Sequence, residues 1–268
     1  FNIGQVQAEA KFADVKIKDK DFSNESLSSD KYESKKGYDY LNAIFFDRHR
    51  RLLIKPVKTR LAIIALATIG IIVAIFFSKK MAGSVNDVFT SSLPTFVFLM
   101  YVTSIGERIC RAMFYNCDIS LLRYGFYRKR NVILKNFKVR LLRVSAMNLI
   151  PAIAICFGLT ALVLVSKAEI QLTQIISYFL SIISLSLFFS VHHLCMYYIF
   201  QPYTTELDIK NPFFKIINSV VYLLCFACLQ IKTAPSYFTI LVLFATVVYM
   251  ITALILVYKF ADKTFRVK

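Results

Sequence analysis

Six long apolar runs dominate the chain and limit what it can fold into. A helix needs about 20 predominantly apolar residues to cross a hydrocarbon core of about 30 Å, and each run comes near that length. Because lipid offers backbone groups no hydrogen-bond partners, such runs must be helical. The sequence therefore predicts an all-α, polytopic membrane protein with about six transmembrane helices. The runs cover residues 61–78, 88–106, 144–165, 171–199, 216–231 and 237–258.

The overall composition agrees with this class of protein. Hydrophobic residues make up 57% of the 268 positions, and the mean hydropathy is +0.58, which is typical of a chain with several spans. The fifth run is the shortest and carries Asn218. It is therefore interpreted either as a full crossing or as one arm of a re-entrant hairpin.

Lysine and arginine are concentrated in alternate connecting segments. Segments 45–60, 107–143, 201–215 and 259–268 hold 22 of these residues, whereas the intervening loops 79–87, 166–170 and 232–236 hold four. Because basic residues next to spans mark the cytoplasmic side, both ends of this multi-pass chain are predicted to be cytoplasmic, in the cell (plasma) membrane. The membrane topology thus accounts for the net charge of +17, and nucleic acid is not expected as a partner.

The domain organisation follows from these patterns. Residues 1–37 are polar and are predicted to form a linker or soluble arm, since they bury too little apolar surface to offset their ordering entropy. Residues 38–60 are predicted to form an interfacial elbow helix that turns into the membrane after Pro56. A six-helix transmembrane domain at 61–258, with a basic cytoplasmic loop at 107–143, then leads to a cytoplasmic tail at 259–268.

The basic loop has two possible uses, and both remain open at this stage. Its second half has helical periodicity, with an apolar stripe whose neighbours are cationic, which is typical of a helix lying on anionic lipids of the inner leaflet. Its first half, Asn116 to Tyr127, is rich in aromatic residues and could contact a protein partner. The apolar stripe consists of Ile133, Leu134, Phe137, Leu141 and Val144.

No motif for catalysis or cofactor binding occurs in the sequence. There is no G-x-x-x-x-G-K-[ST] phosphate loop, no H-E-x-x-H zinc motif and no nucleophilic serine motif. The sequence therefore predicts a protein that is not an enzyme, with no catalytic residue, no metal site and no cofactor bound by this chain.

Polar residues inside the apolar runs are energetically unfavourable in lipid and are therefore candidate site residues. A proton-relay or substrate role for the two histidines, or simple hydrogen bonding between helices, would each account for them. The prolines are candidate hinges because proline frees a backbone carbonyl and weakens a helix. The intramembrane polar candidates are His192, His193, Asn148 and Asn218, and the hinge candidates are Pro94 and Pro151.

Three stretches of the sequence resemble the membrane permeases of ABC exporters in low-GC Gram-positive bacteria. They are YDYLNAIFFDRHRRLL before a span, FYNCDISLLRYGFYR in the basic loop, and NLIPA after it. The resemblance extends over about residues 38–258. It implies that the chain is the C-terminal half of a longer permease, with an upstream membrane half in the same polypeptide.

The same resemblance implies a function and a partner. A separate ATP-binding cassette subunit would bind ATP and Mg, and the permease would move the cargo. The residues implied to lie near the surface that docks this subunit are Asp118, Arg123, Tyr124 and Arg128. Because the spans are aromatic-rich and almost uncharged, we expect an apolar or amphipathic cargo, peptide or lipid-like.

The alternative is a self-contained secondary transporter or channel. Proton or sodium coupling usually relies on intramembrane carboxylates. The six runs contain no Asp or Glu. The sequence therefore favours the exporter permease over this alternative.

Overall fold

The computed structural model describes residue 32 and residues 34–204, 211–232 and 237–267. The predicted polar arm at 1–37 lies almost entirely outside the described residues. All long regular elements in the described part of the chain are helices, which confirms the all-α class. The α-helices are α1 Tyr38–Arg48, α2 Arg50–Phe77, α3 Lys79–Ser91, α4 Thr95–Thr103, α5 Gly106–Met113, α6 Ile119–Leu121, α7 Arg130–Ser166, α8 Leu172–Phe200, α9 Pro212–Ala227 and α10 Phe238–Thr264.

Shorter helices complete the chain. A π-helix at Phe114–Asp118 joins α5 to α6, and 3-10 helices occupy Gly125–Arg128 and Cys228–Gln230. Within the described residues, five helices are long and apolar enough to cross a membrane: α2, α7, α8, α10, and α9 with its 3-10 extension to Gln230. The fifth apolar run is thus a helix of 19 residues.

The second predicted span, 88–106, is not a single helix, so five of the about six predicted spans are continuous helices. The chain leaves α3 at Ser92 and resumes as α4 only after Pro94. Proline disfavours the helical conformation of the residue before it. A second break follows at Ser104 and Ile105, before α5 begins. This part of the chain therefore returns to the basic end through three short helices.

The elbow also differs from the expectation, because the helix breaks at His49 and not after Pro56. The φ and ψ angles of His49, −96° and 11°, interrupt the chain between α1 and α2. Pro56 lies inside α2, where it is buried. The ring of His49 stacks on Phe45 with centroids 4.3 Å apart, and its Nδ1 is 2.7 Å from the Phe45 carbonyl oxygen.

Helix α7 combines the predicted interfacial helix with the third span, so the two are not separate elements. Its 37 residues correspond to about 55 Å of helix, well beyond the about 30 Å of a hydrocarbon core. The predicted apolar stripe is real, but Ile133, Phe137 and Val144 are buried in the protein and do not face lipid. Pro151 is inside this helix, which continues through it.

Helix α8 forms the centre of the bundle. It packs against α4, α5, α7 and α10. In its most apolar stretch of 18 residues 56% of the residues are buried, compared with 6% in the corresponding stretch of α2. Hydroxyl pairs connect it to α10: Ser181 donates to Thr239 at 3.0 Å, and Ser184 to Thr246 at 2.8 Å. Such interhelical bonds contribute about 0.6 kcal/mol each on average.

Segments that are distant in sequence meet at one end of the bundle. Arg130 Nε lies 2.8 Å from an Asp262 carboxylate oxygen, Lys135 Nζ lies 3.0 Å from an Asp39 oxygen, and Tyr115 donates to the Thr204 carbonyl at 2.9 Å. We call residues 38–60, 104–143, 197–204 and 259–267 the basic end. These are segments that the charge pattern assigns to one side, and their cytoplasmic orientation stays a prediction.

Candidate functional site

An ion pair with no solvent exposure lies in the basic end. Arg140, on α7, places Nη1 2.5 Å from one Asp118 carboxylate oxygen and Nη2 2.7 Å from the other. Both side chains are 0% exposed. A bidentate pair of this kind is strong and geometrically specific.

Tyrosine and asparagine side chains complete the hydrogen bonds of this pair. Together with Arg140 and Asp118 they make seven residues, named at the end of this paragraph, that we call the Arg140 cluster. The hydroxyls of Tyr127 and Tyr197 donate to Asp118, whereas those of Tyr127 and Tyr198 accept from the guanidinium. Arg140 Nε donates to the Asn42 side-chain oxygen at 2.8 Å, and Asn42 donates in turn to Asn136 at 2.6 Å. The members are Asn42, Asp118, Tyr127, Asn136, Arg140, Tyr197 and Tyr198.

The Arg140 cluster therefore has a structural role: it connects several elements of the fold. Burial raises the pKa of Tyr127 well above its ordinary value, so its hydroxyl stays protonated and can donate to the carboxylate. The cluster holds α1, the π-helix, the 3-10 helix at Gly125–Arg128, α7 and α8 together. Because all of its members are buried and hydrogen-bonded to one another, the cluster makes this end of the bundle rigid.

The position of Asp118 corrects part of the expectation drawn from the resemblance. Its carboxylate faces Arg140 inside the protein and does not lie on a docking surface. Arg123 and Tyr124 are exposed, and Arg128 is half-buried. The structure thus brings three of the four named residues to the surface and uses the fourth to anchor the segment that carries them.

The exposed residues lie in the short segment Arg123–Arg128, which we call the exposed turn. Tyr124 and Phe126 are 56% and 53% exposed, and their rings stack with centroids 5.7 Å apart. Tyr127, the next residue, points the other way into the Arg140 cluster. Two aromatic rings beside Arg123 and Arg128 have the composition of an interface centre. Two neighbouring exposed rings form an apolar patch of the kind that contacts a protein partner or the membrane interface.

Sequence reasoning missed Arg140, which is the centre of the cluster. Two signals point to it. Asp118 is the only acid among the basic residues of Asn116–Arg143, and a buried acid in such a block must pair with one of them. Arg140 also lies between Phe137 and Val144 on the apolar face of α7, where an arginine is buried only if it is paired.

The two histidines of α8 lie in different surroundings. His192 Nδ1 is 2.9 Å from the Tyr249 hydroxyl, and its Nε2 is 3.1 Å from the Asn218 side-chain oxygen. Both ring nitrogens thus have partners on α9 and α10, which favours hydrogen bonding between helices. His193 instead packs against Gly106 at the start of α5.

Asn148 supports the break before α5. Its side-chain oxygen accepts from the backbone N–H of Ile105 at 2.9 Å, and its amide donates to Ser190 at 2.8 Å. The carboxamide thereby replaces the helical hydrogen bond that the break removes. Of the two hinge candidates, Pro94 lies at a real break, and Pro151 does not.

The described residues offer little for other chemistry. Burial raises the pKa of Cys110, and it raises that of Cys117 to about 12, so both thiols stay protonated and poorly nucleophilic. In the ranges that the structure describes, no group of three His, Cys, Asp or Glu is arranged to hold a metal ion.

Comparisons with family models, with curated proteins and with solved structures give no significant match. The resemblance to exporter permeases therefore depends on the quoted sequence stretches alone.

Proposed function

We propose that this chain is the membrane-spanning permease subunit of an ATP-driven exporter and that a separate ATP-binding cassette subunit hydrolyses the ATP. The observation that carries the proposal is the exposed turn and its anchorage. A surface that receives force from a partner must combine an accessible contact with a stiff connection to the helices that move.

The exposed turn has both properties. Tyr124 and Phe126 offer apolar contact area, and Arg123 offers a charge to an acidic partner surface. Tyr127 fastens the same turn to Arg140 on α7 and, through Asp118, to Tyr197 on α8. A displacement of the turn would therefore be transmitted to two long helices, α7 and α8, without an intervening flexible loop.

The expected cargo is apolar or amphipathic. The outward faces of α2, α9 and α10 carry exposed apolar side chains, such as Leu66, Leu223 and Phe244. These faces could contact lipid, an upstream membrane half of the same polypeptide, or an apolar cargo between the two. A hydrophilic cargo would require polar lining that these faces do not provide.

Copurification from native membranes tests the proposal. We expect the tagged chain to bring down a P-loop subunit in fixed stoichiometry, together with ATP hydrolysis. The double variant Arg123→Glu/Tyr124→Ala should lose both, since it reverses a charge and removes a ring from the exposed turn. The matched control Lys138→Glu reverses an exposed charge elsewhere on the basic end and should retain both.

Two results would contradict the proposal. Purified chain that moves an apolar dye across liposomes without ATP would favour the self-contained transporter. Equal loss of the P-loop subunit in the turn variant and in Lys138→Glu would show that general charge, and not the exposed turn, holds the partner.

A further inference from the structure

A cavity of about 500 Å³ opens between α2 and the α4–α5 segment at the basic end. This volume is within the about 300–1,000 Å³ typical of small-ligand sites. The α2 wall includes Leu52, Pro56 and Thr59, and the opposite wall includes Val102 and Ala112. The cavity is separate from the Arg140 cluster, none of whose members lines it.

The walls of this cavity carry an excess of positive charge. Lys55 and Arg60 come from α2, and Arg108 and Arg111 come from α5, against one carboxylate, Glu107. No described carboxylate lies within ion-pair distance of any of the four cations. Cations held around one partly enclosed space repel each other, and a bound anion would relieve that repulsion.

Each wall changes from charged to apolar along its helix. After Arg60, α2 continues to Phe77 without a charged residue, and α4 is uncharged from Thr95 to Thr103, just before Arg108 and Arg111. A change of this kind is expected at the headgroup layer of a membrane, where cations meet lipid phosphates.

Apolar side chains flank the cavity on the membrane side. On α2, Ile63 and Leu66 follow Thr59 at helical spacing and are 52% and 70% exposed. On α4, Leu99 and Val102 are also exposed. A ligand in the cavity would therefore have cations around one end and hydrocarbon surface next to the other.

We propose that this cavity binds the phosphate headgroup of an anionic phospholipid, with its acyl chains along α2 and α4. The four cations neutralise the phosphate, whereas the hydroxyl of Thr59 already donates to the Lys55 carbonyl oxygen at 3.1 Å. A free phosphate shares the anionic chemistry but gains nothing from the apolar surface. The site does not depend on an ATPase partner, so it can stand or fall independently of the proposed function.

Titration of the delipidated protein in detergent, followed by native mass spectrometry, tests the proposal. We expect one phosphatidylglycerol to bind tightly, and phosphatidylcholine with the same acyl chains to bind at least tenfold more weakly. Lys55→Gln/Arg111→Gln should weaken phosphatidylglycerol binding by about 10- to 30-fold, since each cation near an anionic lipid contributes close to a factor of five. The control Lys138→Gln/Arg123→Gln removes the same charges outside the cavity and should change binding less than threefold.

A second variant guards against misfolding of the charge variant. Thr59→Trp keeps all four cations but fills the cavity from an exposed position, and it should abolish the tight site. Equal weakening by both charge variants, no preference for phosphatidylglycerol, or tight binding to Thr59→Trp would each overturn the proposal. Full displacement of the lipid by millimolar inorganic phosphate would assign the cavity to a free anion and would also overturn it.

Discussion

Replacing Asp118 by asparagine examines whether the Arg140 cluster holds the basic end together. The substitution keeps the shape of the side chain and removes its charge. The guanidinium of Arg140 would then be buried without a counter-charge, because it is 0% exposed and Asp118 is the only carboxylate that it contacts among the described residues. Breaking one side of a buried ion pair costs about 3–5 kcal/mol.

That cost corresponds to a large shift in melting temperature. A protein of 150–250 residues loses about 2–4 °C per kcal/mol, so Asp118→Asn should melt about 6–20 °C lower. The chain has no Trp but has six free cysteines, four of them buried. A dye that fluoresces on reaction with thiols therefore reports unfolding of the detergent-purified protein during heating.

The chain provides a matched control. Asp262 also pairs with an arginine, Arg130, at 2.8 Å, but those side chains are 22% and 48% exposed. Exposed pairs contribute about 0–1 kcal/mol, so Asp262→Asn should melt within about 4 °C of the wild type. The double variant Asp118→Asn/Arg140→Gln removes both charges and should recover part of the loss. A melting temperature of Asp118→Asn that equals that of Asp262→Asn would refute the reasoning.

Two further perturbations address the basic end. Gly106→Ala would place a methyl group 2.9 Å from the Cβ of His193, so we expect a loss of about 1–3 kcal/mol in the same melting assay. Gly125→Ala, where no neighbour lies within 4 Å, should be neutral, and equal losses in the two variants would contradict the clash. Burial lowers the pKa of His49 below its ordinary 6.5, so the folded state disfavours the charged ring. Stability from this group is therefore complete above about pH 6.5 and declines as the pH falls below that value, and the wild type should lose more melting temperature between about pH 7.5 and pH 5 than His49→Gln. Equal losses in the wild type and His49→Gln would show that the ring does not titrate as the structure implies.

Local patterns explain why much of the fold was predictable. A long apolar run carries its own evidence for a helix, because lipid and backbone hydrogen bonding impose the helix wherever the run occurs. Helical spacing likewise identified the stripe of Ile133, Phe137 and Val144, although not what covers it. The break at Pro94 coincides with a candidate hinge, whereas the break at Ser104 was harder to predict, because the apolar composition continues across it.

The sequence by itself determined the all-α class, most of the long apolar helices and the segments that gather at one end, because run length and charge alternation are properties of neighbouring residues. Only the tertiary structure decided that Asp118 pairs with Arg140, that Asn148 supports the break before α5, and that α2 and α5 enclose a cationic cavity. Each of these joins residues that are tens of positions apart. No local periodicity encodes such a choice of partner, because it depends on how the helices pack.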